Sequence, residues 1–341
     1  MEYCQLGRTG VSVSKLCLGA MMFGEWGTKD HDESIRIINR ALDAGINFID
    51  TADIYSAGES EVIVGKALAG GRRDDVVLAT KAHMPMGEDP NQRGNSRRWI
   101  IREVENSLRR LGTDWIDLYQ IHRYDPDTAI DETLGALTDL VRAGKVRYVG
   151  HSTWPVSAIV EAQWTASERG RERFTCEQPP YSILVRGIEA DTLPTCARYG
   201  MGVIPYSPLA GGWLTGRYRK GSESRPFSVA RQRLADRYDL SMPENQRKLE
   251  AAEQLAELAD KAGIPLIEMA IAFVLRHPAV TSAIIGPRTM EHLESQLPAA
   301  DVKLPDDVLD RIDEIVLPGV TINPADNGWA SPALQPAARR R

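Results

Sequence analysis

Short apolar runs recur along the chain, each followed by a longer stretch in which apolar residues return every three to four positions. The runs fall at 15–19 (KLCLG), 46–50 (INFID), 76–80 (VVLAT), 116–122 (IDLYQIH), 146–152 (VRYVGHS), 174–178 (FTCEQ), 202–207 (GVIPYS) and 282–286 (SAIIG). Runs of this length suit strands buried on both faces. The intervening stretches, such as DESIRIINRALDAG, IIREVENSLRRLG and IDETLGALTDLVRAGK, carry the period of amphipathic helices, and glycines suited to left-handed caps close several of them. Strands alternating with crossover helices make parallel sheets, and eight such units predict a (β/α)8 TIM barrel of the α/β class.

Two departures from the repeat add detail. The opening CQLGRTGVSVSKL predicts an N-terminal hairpin turning at Arg8-Thr9-Gly10 and plugging the lower end of the barrel. An extended loop after strand 7 runs from 208 to 281, begins LAGGWLTGRYRKGSESRPFS and continues into two helical patterns, a length that usually carries function. Residues 1–330 are expected to form one barrel domain, and the Pro/Ala-rich end 331–341 a disordered tail.

Composition narrows the function classes. The 341 residues, 43% of them hydrophobic, can bury a large core. With 41 Lys and Arg against 47 Asp and Glu, the net charge of -6 gives no global basic field for nucleic acid. An anionic ligand would need a local positive pocket. The N-terminus lacks the apolar core of a signal peptide, and no run approaches the roughly 20 apolar residues of a membrane span, so a cytoplasmic protein is expected. Cys4, Cys17, Cys176 and Cys196 have no CxxC or Cys/His spacing, and the histidines no ligand pattern, so reduced thiols and no metal site are expected. Gly70-Gly71 and Gly211-Gly212 lack the spacing of a dinucleotide fingerprint.

Parallel barrels bring side chains from several strands together at the strands' carboxyl ends. Asp50, Lys81 and His122 all fall at such ends, and Tyr55 lies one loop beyond Asp50. These four are the candidate catalytic group. A phenol titrates near 10 on its own, so proton donation near neutrality gains from a cation that stabilises its phenolate. Lys81 would supply that cation, Asp50 would hold Lys81, and His122 would orient a substrate carbonyl. Trp26, the loop HMPMGEDP and Trp154 either line the mouth of a pocket or pack in the ordinary way.

Beyond those residues, the chain resembles the aldo-keto reductases over almost its full length. The resemblance rests on FIDTADIYSAGESE, LATK, LYQIH, GHST, CEQPPYS, YSPLAGGWLTGRY and the GPRT segment, in the family's order. Its pattern is most similar to the branch of potassium-channel beta subunits and bacterial aldehyde reductases. The resemblance implies a nicotinamide cofactor held without a Rossmann domain, and reversible reduction of a small carbonyl substrate to an alcohol. It implies that Ser152 and Gln178 meet the nicotinamide carboxamide, and that Tyr206 stacks on the ring. Ser207, Leu209 and Arg217 would lie at the pyrophosphate, and Gly286, Arg288 and Gln296 in the adenosine pocket. Arg288 with Arg217 favours NADPH over NADH, because guanidinium forks pair well with phosphate oxygens.

The chain departs from the family's pattern at Thr153, where asparagine is familiar, and at His292 and Ser295 in the adenosine segment. The resemblance admits a homo-oligomer. Two other readings stand beside the reductase: a cofactor-sensing regulatory or binding subunit on the same barrel, and a metal-dependent barrel lyase or isomerase.

Overall fold

The computed structural model describes residues 1–221 and 234–340. Part of the extended loop after strand 7, residues 222–233, and the last residue of the expected tail lie outside the described residues. The hairpin forms as expected: β1 (Tyr3–Gln5) pairs antiparallel with β2 (Ser12–Ser14), Tyr3 opposite Ser14. Eight parallel strands follow, namely β3 (Leu16–Gly19), β4 (Phe48–Asp50), β5 (Val77–Ala82), β6 (Ile116–Ile121), β7 (Val146–His151), β8 (Cys176–Glu177), β9 (Gly202–Val203) and β10 (Ala283–Ile285). Their order is β10-β3-β4-β5-β6-β7-β8-β9. The circle closes where Ile284 N donates to Pro205 O at 2.9 Å and Thr281 N to Val203 O at 2.8 Å.

Regular β8 and β9 are shorter than the apolar runs that predicted them. Pro179, Pro180 and Pro205 lack the N–H that a ladder needs, so pairing continues only as single bonds, such as Tyr206 N to Pro179 O at 3.0 Å. The helices α1 (His31–Asp43), α2 (Glu59–Leu68), α3 (Arg97–Leu111), α4 (Ile130–Arg142), α5 (Val156–Arg169) and α6 (Thr192–Tyr199) fill the crossovers. Asp30 caps α1 by accepting from Asp32 N and Glu33 N, and Gly112, at φ 63°, ends α3 in the left-handed conformation that glycine tolerates. Helices Pro243–Ala262 and Leu266–Arg276 precede β10; Met290–Gln296 and Asp306–Ile315 follow it.

The alternation of strand side chains sorts the core into two parts. Leu16, Leu18, Ile49, Leu78 and Tyr119 face outward to the helices. Cys17, Phe48, Ala79, Leu118, Cys176, Ile204 and Ile284 face inward, and Leu6 and Val13 of the hairpin join them, closing the lower end. Two residues further along the same strands, the inward row becomes polar, with Asp50, Lys81, Gln120 and Gln178 all buried. Among the described residues no helix is long and apolar enough to cross a membrane.

Candidate active site

The ammonium of Lys81 organises this polar layer. Its Nζ donates to Asp50 Oδ1 at 2.6 Å, to the Thr51 carbonyl at 2.8 Å and to Tyr55 Oη at 3.1 Å. Three donors meet three acceptors, and the phenol oxygen is one of them. The phenol's own proton is therefore free to point elsewhere. Asp50 is held from its other side, where Oδ2 accepts from Gln120 Nε2 and Gln178 Nε2, each at 2.9 Å. Gly150 makes room for Gln120, since a Cβ there would stand 3.3 Å from Gln120 Cγ and 3.0 Å from the Cys176 carbonyl.

Tyr55 reaches this layer from a 3-10 turn, Tyr55–Gly58, in which Ser56 and Ala57 take left-handed φ values of 49° and 55°. The turn is pinned where Trp26 N donates to Ser56 Oγ at 3.0 Å, which also sets the Trp26 ring 6.0 Å from that of Tyr55. His122, just past β6, presents its ring edge-on to Tyr55 at 5.8 Å and 82°. The structure thus brings Asp50, Tyr55, Lys81 and His122 together.

Electrostatics refine the expectation for the phenol. Burial pushes the Tyr55 pKa up; Lys81 opposes this, Asp50 adds to it, and the net direction is upward. The neighbouring cation does not overcome desolvation, so Tyr55 carries its proton at neutral pH. For Lys81 burial pulls downward, but the charges and hydrogen bonds of Asp50 and Tyr55 prevail and the ammonium is retained. Burial, then the charges of Lys81 and Arg123, hold His122 well below 6.5, so its imidazole is neutral.

The remaining expected positions form a second group. Ser152 is buried and its Oγ donates to the Gln178 carbonyl at 2.8 Å. Gln178 directs its amide N–H groups to Asp50 and, at 3.2 Å, to Gln120 Oε1, which leaves only Oε1 to accept from a ligand. Tyr206 is half-buried, with Oη 3.3 Å from Thr153 Oγ1. Ser207, exposed at φ 58°, opens a run in which Ala210, Gly211 and Gly212 are also left-handed, with half-buried Leu209 between them. Further round the rim, exposed Arg217 donates to His292 Nε2 at 3.1 Å. Burial and then the charges of Arg217 and Arg288 keep His292 below its ordinary pKa. Gly286 is exposed with open space around it, whereas Gln296 is buried and turns its amide to the His292 carbonyl at 2.8 Å.

Sequence reasoning missed several participants. Gln120 lies two residues after inward Leu118, so the strand period alone would have found it. The Thr51 carbonyl carried no sequence signal. Nor did Glu177, which pairs with His151 and accepts Thr153 N at 2.9 Å. Trp154 belongs to the packing rather than the mouth: it is buried, stacked on His151 at 4.9 Å and set against Phe174.

Thr153 departs from the family's asparagine and has φ 56°. Left-handed backbone costs a residue with a Cβ roughly 1–2 kcal/mol, and asparagine tolerates it better than a β-branched side chain. Thr153→Asn is accordingly expected to stabilise the protein by about 1 kcal/mol. A lower urea midpoint for the variant would refute that account of the strain.

An eight-stranded parallel barrel with this polar mouth, among relatives named as oxidoreductases, defines an oxidoreductase barrel. The chain belongs to the aldo/keto reductase family, whose sequence model matches residues 15–317. It is 42% identical to the uncharacterized oxidoreductase YrpG of Bacillus subtilis, over 92% of this chain and 96% of that protein. It is 34% identical to a probable voltage-gated potassium channel subunit beta of Oryza sativa subsp. japonica, over 93% and 97% of the two chains. Versiconal hemiacetal acetate reductase of Aspergillus parasiticus is 33% identical, over 93% and 98%.

Proposed function

We propose that the protein reduces an aldehyde or ketone to the alcohol, with NADPH as hydride source and Tyr55 as proton donor. One observation carries this reading: Lys81 Nζ donates to the Tyr55 oxygen, which leaves the phenol's own proton free to face a ligand. When bound, the nicotinamide supplies the hydride that reaches the carbonyl carbon. Tyr55 releases its proton to the carbonyl oxygen as negative charge builds there. The phenolate left behind sits 3.1 Å from the Lys81 ammonium, which stabilises it. Asp50, fixed by Gln120 and Gln178, holds that ammonium in place. Neutral His122 can donate one N–H to the carbonyl and orient it.

The residues suited to a nicotinamide dinucleotide lie around the same rim. Tyr206 offers a half-open aromatic face, and Ser152 with Gln178 Oε1 offers polar atoms beside it. The run 207–212, left-handed at Ser207, Ala210, Gly211 and Gly212, followed by Arg217, suits a pyrophosphate. Arg288 has no carboxylate within 4.0 Å among the described residues, and with Arg217 it favours the additional phosphate of NADPH.

Loss of nicotinamide absorbance, followed over a panel of aldehydes and ketones with NADPH and with NADH, tests this reading. Turnover is expected with at least one carbonyl and faster with NADPH. Likeness to a protein named as a potassium channel beta subunit supports a second reading, a cofactor-sensing regulatory subunit. Tight NADPH binding without turnover on any carbonyl would favour it.

A further inference from the structure

Arg123 is a cation at the mouth for which the proposed reduction has no use. It directly follows His122 at the carboxyl end of β6 and is half-buried. Its Nη1 donates to the His122 carbonyl at 2.6 Å and to Ser152 Oγ at 3.3 Å, which fixes the guanidinium between the two strand ends that frame the candidate site. Its positive charge adds to the burial that holds the His122 pKa down and works against the burial that raises the Tyr55 pKa.

Among the described residues the guanidinium pairs with no carboxylate. Half-buried Arg40, Arg72, Arg73, Arg97, Arg110, Arg171, Arg219 and Arg237, and buried Arg186, each pair with a carboxylate. Among the described residues only Arg123 and Arg288 break this pattern, and Arg288 has a role on the cofactor side. The nearby carboxylate of Asp125 is turned away, accepting from Thr128 Oγ1, Asp127 N and Asn95 N. A partly desolvated guanidinium whose Nε and Nη2 have no partner among the described residues favours a ligand oxyanion in a two-point contact.

We propose that Arg123 binds an anionic group of the substrate, so that the preferred carbonyl compounds carry a carboxylate or a phosphate near the aldehyde or ketone. This rests on the reductase reading and names its substrate class. The anion would pair with Arg123 while the carbonyl lies between Tyr55 and His122, so the ion pair orients the reacting group as well as adding affinity.

The test compares matched pairs on the intact protein with NADPH: succinic semialdehyde against butanal, and glycolaldehyde phosphate against glycolaldehyde. The wild-type protein is expected to prefer the anionic member of at least one pair in kcat/KM, and the pair with the larger ratio distinguishes carboxylate from phosphate. Arg123→Gln is expected to reduce that ratio at least tenfold, mainly through KM of the anionic substrate, and Arg123→Lys to restore part of it. A ratio unchanged by Arg123→Gln overturns the proposal. So does an at least tenfold weaker NADPH affinity with the ratio unchanged, since Arg123 would then be a cofactor contact. If the wild-type protein reduces neither these four nor any other carbonyl of the panel, the reductase reading fails separately. Calorimetric binding of the carboxylate and phosphate product alcohols to the NADP+ complex, lost in Arg123→Gln, still tests the anion site without turnover.

Discussion

A Tyr55→Phe protein is expected to keep its fold and its NADPH affinity and to lose kcat by about 10³-fold, the scale of a positioned general acid. Among the described residues the hydroxyl accepts from Lys81 Nζ, and Lys81 retains Asp50 and the Thr51 carbonyl when the hydroxyl is removed. No buried ion is orphaned, so the loss falls on chemistry rather than stability. The pH profile supplies a second check. Tyr55 titrates above its ordinary value of about 10 and His122 well below 6.5. Neither group changes protonation across neutrality, so the wild-type reduction rate should be flat there. It should fall only as rising pH removes the phenol's proton. Steady-state kinetics of both proteins on one good aldehyde decide the matter, and a variant within tenfold of wild type would remove Tyr55 from the proposed role.

The barrel and the meeting of these four side chains were legible because both follow from strand periodicity. Once eight apolar runs are aligned as parallel strands, Asp50, Lys81 and His122 must come to one end, and the alternation from Phe48, Ala79 and Leu118 directs Asp50, Lys81 and Gln120 inward. Loop geometry was not legible in that way. Nothing in YSAG announces two left-handed residues, and Thr153 has the wrong side chain for its φ of 56°. The balance at Tyr55 was also hidden. Its sign depends on burial against a cation 3.1 Å away, a difference of two opposing effects that residue identities alone do not give. Arg123 carries no signal in the sequence, because an arginine after a histidine is unremarkable until the fold shows that, among the described residues, no carboxylate pairs with it.

The largest stability effect is expected away from the polar layer, at Asp326. Lys248 points from the helix Pro243–Ala262 into the interior with its side chain fully buried, and its Nζ donates to Asp326 Oδ2 at 2.7 Å and to the Arg237 carbonyl at 3.0 Å. The ammonium also lies over Trp213, 4.7 Å from the ring centre, and Trp213 stacks on Tyr218 at 4.3 Å. Around the pair, Asn323 Nδ2 donates to Asn245 Oδ1 at 2.8 Å and to the Asp236 carbonyl at 3.0 Å. One ion pair therefore joins the segment after β9, the long helix and the C-terminal turn Pro324–Asn327. Asp326→Ala strands the Lys248 charge, and removing one partner of a buried pair costs about 3–5 kcal/mol. Burial already pulls the Lys248 pKa down, with Asp326 opposing, so the stranded lysine would partly escape the penalty by shedding its proton. The double variant Lys248→Met/Asp326→Ala should recover much of the loss, because the fully buried ammonium is then gone and only the half-buried Arg237 loses a carboxylate partner. Gly328, two residues beyond Asp326, packs so closely on Tyr206 that an added Cβ would lie 2.3 Å from Oη. Loosening the turn should therefore also weaken NADPH binding. Urea unfolding with and without NADPH measures both effects, and an Asp326→Ala loss below about 1 kcal/mol, the range of exposed pairs, would mean that the pair does not act as a buried one.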